Sequence, residues 1–74
     1  MKLTIQLASV PHHPELVAEI WQETNMIAEV RLHEKNNFII ELYPHPTQAC
    51  WSFKLDEWMK ILTLAKEALS VENL

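Results

Sequence analysis

The chain has 74 residues, of which 49% are apolar and 22% are charged, and its formal net charge is −4. A chain this short buries only about 60% of its unfolded surface, so it accommodates one domain with a modest core. No apolar run approaches the roughly 18 residues that span a bilayer. The six basic residues are scattered, whereas binding to a phosphate backbone needs clustered Lys and Arg. A single cysteine suits a reducing compartment. We therefore expect one cytoplasmic domain over residues 1–74 that binds neither membranes nor nucleic acid.

Alternating hydrophobicity predicts strands at 2–9, 26–33 and 38–43. A proline-rich connection at 11–14 follows the first of them, because proline disrupts ladder hydrogen bonds. The chain contains no glycine, so we expect every left-handed turn position to be filled by Asn, as at Asn36-Asn37, or to be avoided by longer turns. The predicted inward positions are Leu3, Ile5 and Leu7, then Met26, Ala28, Val30 and Leu32, then Phe38, Ile40 and Leu42.

Residues 15–23 are compatible with a strand or with a short helix that begins near Pro14. A helix this short would depend almost wholly on packing. The next strand begins after Thr24-Asn25, and that short gap suits a hairpin, which favours the strand. The strand would place Leu16, Ala18 and Ile20 towards the core, and Val17, Glu19 and Trp21 on the reverse side.

Residues 55–70 predict an amphipathic helix, with Asp56 and Glu57 in the first turn, where the helix dipole favours negative charge. Together these elements predict an α+β fold: an antiparallel sheet of about four strands in meander order, with one C-terminal helix packed on one face. The apolar stripe of the helix comprises Leu55, Trp58, Met59, Leu62, Ala65 and Leu69, widened by Ile61, Leu64 and Ala68.

The histidines raise the possibility of a metal or small-ligand site built from His12, His13, His45 and Cys50. Zinc sites usually show paired Cys or His ligands separated by about two to five residues, and these spacings supply no two such pairs. A phosphate-binding loop or a nucleophile elbow also needs glycine. We therefore expect no enzyme activity, no metal and no cofactor, and keep the loop-histidine site as the alternative function.

The outward face of the sheet carries the stronger signal. One helix covers only one face of a sheet, so the other face would present aromatic, β-branched and Arg side chains, a composition typical of protein-binding surfaces. We predict a domain that binds and regulates or neutralises an unknown protein partner through this face, and a homodimer formed through the same face or an edge strand. The predicted contact residues are Val17, Trp21, Ile27, Arg31, Ile39 and Tyr43, interleaved with Glu19, Glu29 and Glu41.

Several motifs carry a resemblance that spans nearly the whole chain. They are Leu7-Ala8-Ser9-Val10-Pro11-His12, Val17-Ala18-Glu19-Ile20-Trp21, Glu41-Leu42-Tyr43-Pro44 and Trp51-Ser52-Phe53. With the helix that follows them, they resemble short stand-alone bacterial proteins of unassigned function. The resemblance implies a bacterial cytosolic single-domain protein and a strand at 16–21, and it carries over no catalytic or binding residue. In size and charge alone, the chain is also similar to toxin-neutralising immunity proteins.

Overall fold

The computed structural model describes residues 2–9, 16–34 and 37–72, and over these residues the chain forms four strands and one helix. The strands lie in the order β1-β2-β3-β4 with antiparallel neighbours. The predicted α+β meander is therefore confirmed, and so is the strand in the ambiguous segment. The proline-rich connection and Asn36 lie outside the described residues. The elements are β1 (Leu3–Ser9), β2 (Leu16–Gln22), β3 (Asn25–Glu34), β4 (Asn37–Leu42) and α1 (Leu55–Glu72).

The core lies between the sheet and α1, which packs chiefly on β2 and less on β1 and β3. Three of its fully buried members, Ala18, Ala28 and Ala65, are small, so the helix can lie close to the sheet at its centre. Around them, half-buried side chains such as Leu3, Ile5 and Leu7 close the margins. The buried core cluster comprises Ala18, Ile20, Ile27, Ala28, Val30, Ile61, Ala65 and Leu69.

Ile27 departs from the predicted alternation because β3 contains a bulge. Ile20 pairs with Ala28, whereas Trp21 pairs with Met26, so Ile27 is an extra residue opposite β2. The bulge turns Ile27 into the core beside Ala28, where it is only 1% exposed. Met26 instead takes the face that Trp21 occupies. The predictions that Ile27 points outward and that Met26 points inward are therefore wrong.

The helix is rotated about its axis relative to the predicted stripe. Ile61, predicted at the margin, belongs to the buried core. Leu55 and Met59, predicted within the stripe, are 69% and 55% exposed. The apolar sector is wider than the contact that one helix makes with a sheet, and Ala65 and Leu69 are its fully buried members. The helix therefore centres on the line from Ile61 to Leu69.

The turn between β2 and β3 contains a left-handed residue, Glu23, with φ of 54°. The prediction that Asn fills such positions is wrong at this turn. A residue with a β-carbon pays a steric cost of about 1 kcal/mol in the left-handed region. We infer that the β2–β3 hairpin holds Glu23 in this conformation through the pairing of the strands on either side.

Candidate protein-binding surface

A row of three glutamates crosses the face of the sheet opposite α1. On this face, here called the open face, the described residues place no further helix or strand. Glu19 pairs with Glu29 across β2 and β3, and Glu29 pairs with Glu41 across β3 and β4. Side chains directly opposite each other in neighbouring strands have Cβ atoms only about 5 Å apart, so like charges repel. We call Glu19, Glu29 and Glu41 the acidic row.

Two carboxylates of the acidic row receive hydrogen bonds from side chains on the same face. The indole Nε1–H of Trp21 donates to Glu19 Oε1 at 3.1 Å. The guanidinium Nε–H of Arg31 donates to Glu41 Oε1 at 3.1 Å, as an ion pair in which Glu41 stays largely exposed. These donors offset part of the repulsion between the carboxylates and fix where each one points.

The third carboxylate, Glu29, accepts a hydrogen bond from the phenol of Tyr43. The backbone N–H of Tyr43 donates to the carbonyl oxygen of Ile27 at 2.9 Å, so the pairing with β3 continues beyond β4. This pairing directs the Tyr43 ring over the open face. The hydrogen bond to Glu29, followed by burial and by the negative charges of the acidic row, raises the pKa of Tyr43 to about 12. The phenol therefore stays protonated, and able to donate this hydrogen bond, to a higher pH than an ordinary tyrosine.

The structure brings four of the six predicted contact residues together on the open face. Trp21, Arg31, Ile39 and Tyr43 surround the acidic row and are half-buried. Val17 also lies on this side, opposite Arg31, but it is 2% exposed and therefore closed to a partner.

Ile27 is the second predicted contact residue that departs from the prediction, because it belongs to the core. Alternation along the strands predicts three glutamates interleaved with the contact residues, whereas the strand register makes them the centre of the surface. In the sequence, this arrangement is indicated by the alternation of each strand, which puts all three glutamates on the outward side. Met26 joins the face only through the bulge, for which the sequence gives no signal.

The open face has an excess of negative charge and unused acceptors. The acidic row contributes three carboxylates against the single guanidinium of Arg31. Within the part of the chain that the structure describes, the donors engage Oε1 of each glutamate. The other carboxylate oxygens are thus in position to accept hydrogen bonds from cationic groups, beside the aromatic rings of Trp21 and Tyr43.

The described residues do not support the loop-histidine site that the sequence offers as the alternative function. The Nδ1 atom of His45 accepts the backbone N–H groups of Thr47 and Gln48 at 3.0 and 2.9 Å. The His45 ring packs against Trp51 with ring centroids 4.4 Å apart, so it has a structural role in this turn. Cys50 is exposed. His12 and His13 lie outside the described residues, and elsewhere no group of three His, Cys, Asp or Glu side chains is arranged to hold a metal ion.

Comparison with other proteins does not assign the chain to a family. No protein-family model matches it, and no curated protein sequence or solved structure does either. Among the described residues, no helix is long and apolar enough to cross a bilayer. The open face is therefore the feature of this chain that points to a function.

Proposed function

We propose that this chain is a non-enzymatic protein-interaction domain that binds a basic protein partner through its open face, and so regulates or neutralises that partner. The acidic row is the observation that carries the proposal. Repeated like charges across a sheet destabilise it, and a fold without a use for them would be more stable with neutral residues there. The partner would present Lys or Arg side chains to Glu19, Glu29 and Glu41.

The arrangement around the acidic row favours binding over simple solvation. Trp21, Tyr43 and Arg31 hold the carboxylates in fixed positions, so fewer side-chain rotamers would have to be ordered when a partner binds. Aromatic and Arg side chains are also the residue types that most often dominate binding energy. The face of a β-sheet suits another protein surface better than it suits a small molecule, which usually needs a deep cleft.

The overall charge of the chain would assist encounter with such a partner. A net charge of −4 attracts a basic protein at long range, and this attraction weakens as salt is added. Cys50 is an exposed thiol without a second cysteine in the chain. We therefore place this interaction in a reducing cytoplasm.

A soluble peptide of alternating lysine and threonine, carrying a fluorescent label, provides a defined probe. The variant pair Glu19→Gln with Glu41→Gln removes two charges and leaves the Tyr43–Glu29 hydrogen bond intact. Exposed ion pairs each contribute up to about 1 kcal/mol, so we expect the Kd for the peptide to rise about tenfold.

The control is the variant pair Glu57→Gln with Glu67→Gln, which removes the same total charge from exposed positions on α1. It should change the Kd by less than about twofold, because these charges lie away from the open face. Equal losses of affinity in both pairs would mean that only net charge matters. That result, or a wild-type chain that does not bind the peptide, would contradict the proposal.

A further inference from the structure

A second surface lies on the helix side of the sheet, where β4 extends beyond the cover of α1. The strand register places Ile40 opposite Val30 and Leu42 opposite Ala28, both on the side that faces the helix. However, α1 packs chiefly on β2, and Ile40 and Leu42 are left 40% and 66% exposed. The predicted burial of these two residues is therefore wrong. At the opposite edge of the sheet, the inward side chains of β1 are half-buried.

The flank of α1 continues this apolar surface. A groove of about 170 Å³ separates β4 from the helix, and its walls include Ile40 and Leu62. Met59 lies one turn before Leu62 and Leu55 lies one turn earlier, so both are on the same flank. Of the five large apolar side chains that the described residues expose, two lie on β4 and two on this flank of the helix. We call these four, Ile40, Leu42, Leu55 and Met59, the β4 seam.

The backbone of β4 is also open along this edge. In antiparallel sheets the N–H and C=O groups of successive residues point alternately to the two sides. The N–H of Tyr43 points to β3, so the backbone groups of Phe38, Ile40 and Leu42 point away from the sheet. No described strand pairs with β4 on that side. The strand also lacks the Lys and Pro residues with which many proteins block edge pairing.

We propose that a second copy of this chain pairs with β4 in antiparallel orientation, with Ile40 opposite its own counterpart. This register places Phe38 opposite Leu42 and Glu41 opposite Ile39, so no like charges face each other. A shift of the pairing centre to Glu41 would oppose two carboxylates, and a shift to Ile39 would leave Leu42 unpaired. Every pair in the chosen register obeys a two-fold axis, as a closed dimer requires.

Charge distribution favours a second copy at this edge over a second copy on the open face. Two open faces in contact would bring two acidic rows together, within a dimer whose subunits each carry a net charge of −4. Pairing through β4 instead joins the two sheets edge to edge and brings the exposed side chains of the β4 seam beside those of the second copy. Both open faces remain accessible, so this inference is independent of the proposed function.

Sedimentation equilibrium of the full chain tests the proposal at about 100 μM, a concentration that populates a dimer of micromolar Kd. We expect a wild-type dimer. Ile40→Lys should shift the chain to monomer, because a lysine at the centre of an edge strand opposes pairing. The matched control is Leu64→Lys, at a helix position of similar exposure (44% against 40%) on the other flank of α1, and it should remain dimeric.

A monomeric wild type would overturn the proposal, as would a dimer that Ile40→Lys leaves intact or that Leu64→Lys also dissolves. Cross-linking provides a test that does not depend on a destabilising charge. In a Cys50→Ser background, Ile40→Cys should form a disulfide dimer on mild oxidation, because facing Cα atoms in such a pair lie about 5.5 Å apart. Leu64→Cys in the same background should not. Equal cross-linking of the two variants would contradict the register.

Discussion

Tyr43 donates its phenolic hydrogen to Glu29 on the open face, while its backbone carbonyl accepts the indole N–H of Trp51 at 2.9 Å. The Trp51 ring stacks with Phe53, which in turn stacks with Trp58 in the first turn of α1. One residue therefore connects the acidic row with the aromatic segment that leads into the helix. A change at Tyr43 would affect both the candidate binding surface and the stability of the fold.

The hydrogen bond to Glu29 should be visible in the titration of Tyr43, which is the only tyrosine of the chain. Tyrosinate absorbance should give a pKa of about 12. Glu29→Gln should bring this pKa back towards its ordinary value, because it removes the carboxylate acceptor, the largest cause of the shift, and its charge.

The same shift fixes how stability depends on pH. The folded-state pKa of Tyr43 is raised above the ordinary tyrosine value of 10.0, so its contribution to stability is complete below about pH 10. That contribution is lost as the pH rises through about 12. Urea unfolding across this range should show the decline in wild type and a smaller one in Glu29→Gln. An ordinary tyrosine pKa in the wild type would contradict the geometry.

The bulge in β3 predicts different costs for two isoleucine truncations. Ile27→Ala should lower the free energy of unfolding by about 3 kcal/mol, because it leaves a cavity in the core. Ile39→Ala, on the half-buried open face, should cost only about 1 kcal/mol. Urea denaturation of both variants measures the difference. Similar losses in the free energy of unfolding would contradict the buried position of Ile27 and would favour the outward position that simple alternation predicts.

The left-handed conformation of Glu23 predicts a stabilising substitution. Asparagine adopts this conformation more readily than glutamate does. Glu23→Asn should therefore raise the free energy of unfolding by about 0.5 kcal/mol. Glu34→Asn, at an exposed position near the other end of β3, serves as the control and should not stabilise the chain. A loss of stability in Glu23→Asn would exclude a left-handed residue at this turn.

The imidazole of His45 is predicted to stabilise the turn that follows β4. His45→Ala removes the acceptor for two backbone N–H groups and the contact with Trp51, so we expect a loss of about 1.5 kcal/mol. His45→Asn retains a side-chain acceptor at a similar position and should lose about half as much. Thermal or urea unfolding of the two variants separates the two contributions. Equal losses would mean that the accepted hydrogen bonds contribute nothing.

The sequence predicts most of this fold because its strands alternate and their connections are short. Four strands in meander order and the C-terminal helix follow from period and spacing alone. The bulge at Ile27 cannot be predicted in this way, because its neighbours are all apolar and either phase of alternation buries some of them. The rotation of α1 about its axis cannot be predicted either, since apolar residues occupy about half of its circumference. Only contact with the sheet determines that Ile61 is buried and Met59 is exposed.

The candidate surface, like the fold, can be predicted only in part from the sequence. The alternation within β2, β3 and β4 already places their glutamates outward, but their alignment into one row depends on the register between strands. That register is set by hydrophobic burial on the opposite face and by the turns. The exposed edge at β4 cannot be predicted from alternation either, because it results from where α1 lies across the sheet. The alternating pattern predicts which side chains point towards the helix side of the sheet, but it does not predict which of them α1 covers.

The three tryptophan indole N–H resonances offer the most direct test of binding at the open face. Trp21 lies beside the acidic row, whereas Trp51 lies in the aromatic segment that leads into the helix and Trp58 lies in the first turn of α1. Titration of nitrogen-labelled protein with the lysine–threonine peptide should shift the Trp21 resonance, together with the backbone amides of the acidic row, and leave the other two indoles nearly unchanged. Shifts confined to Trp51, Trp58 or the β4 seam would contradict a binding surface on the open face.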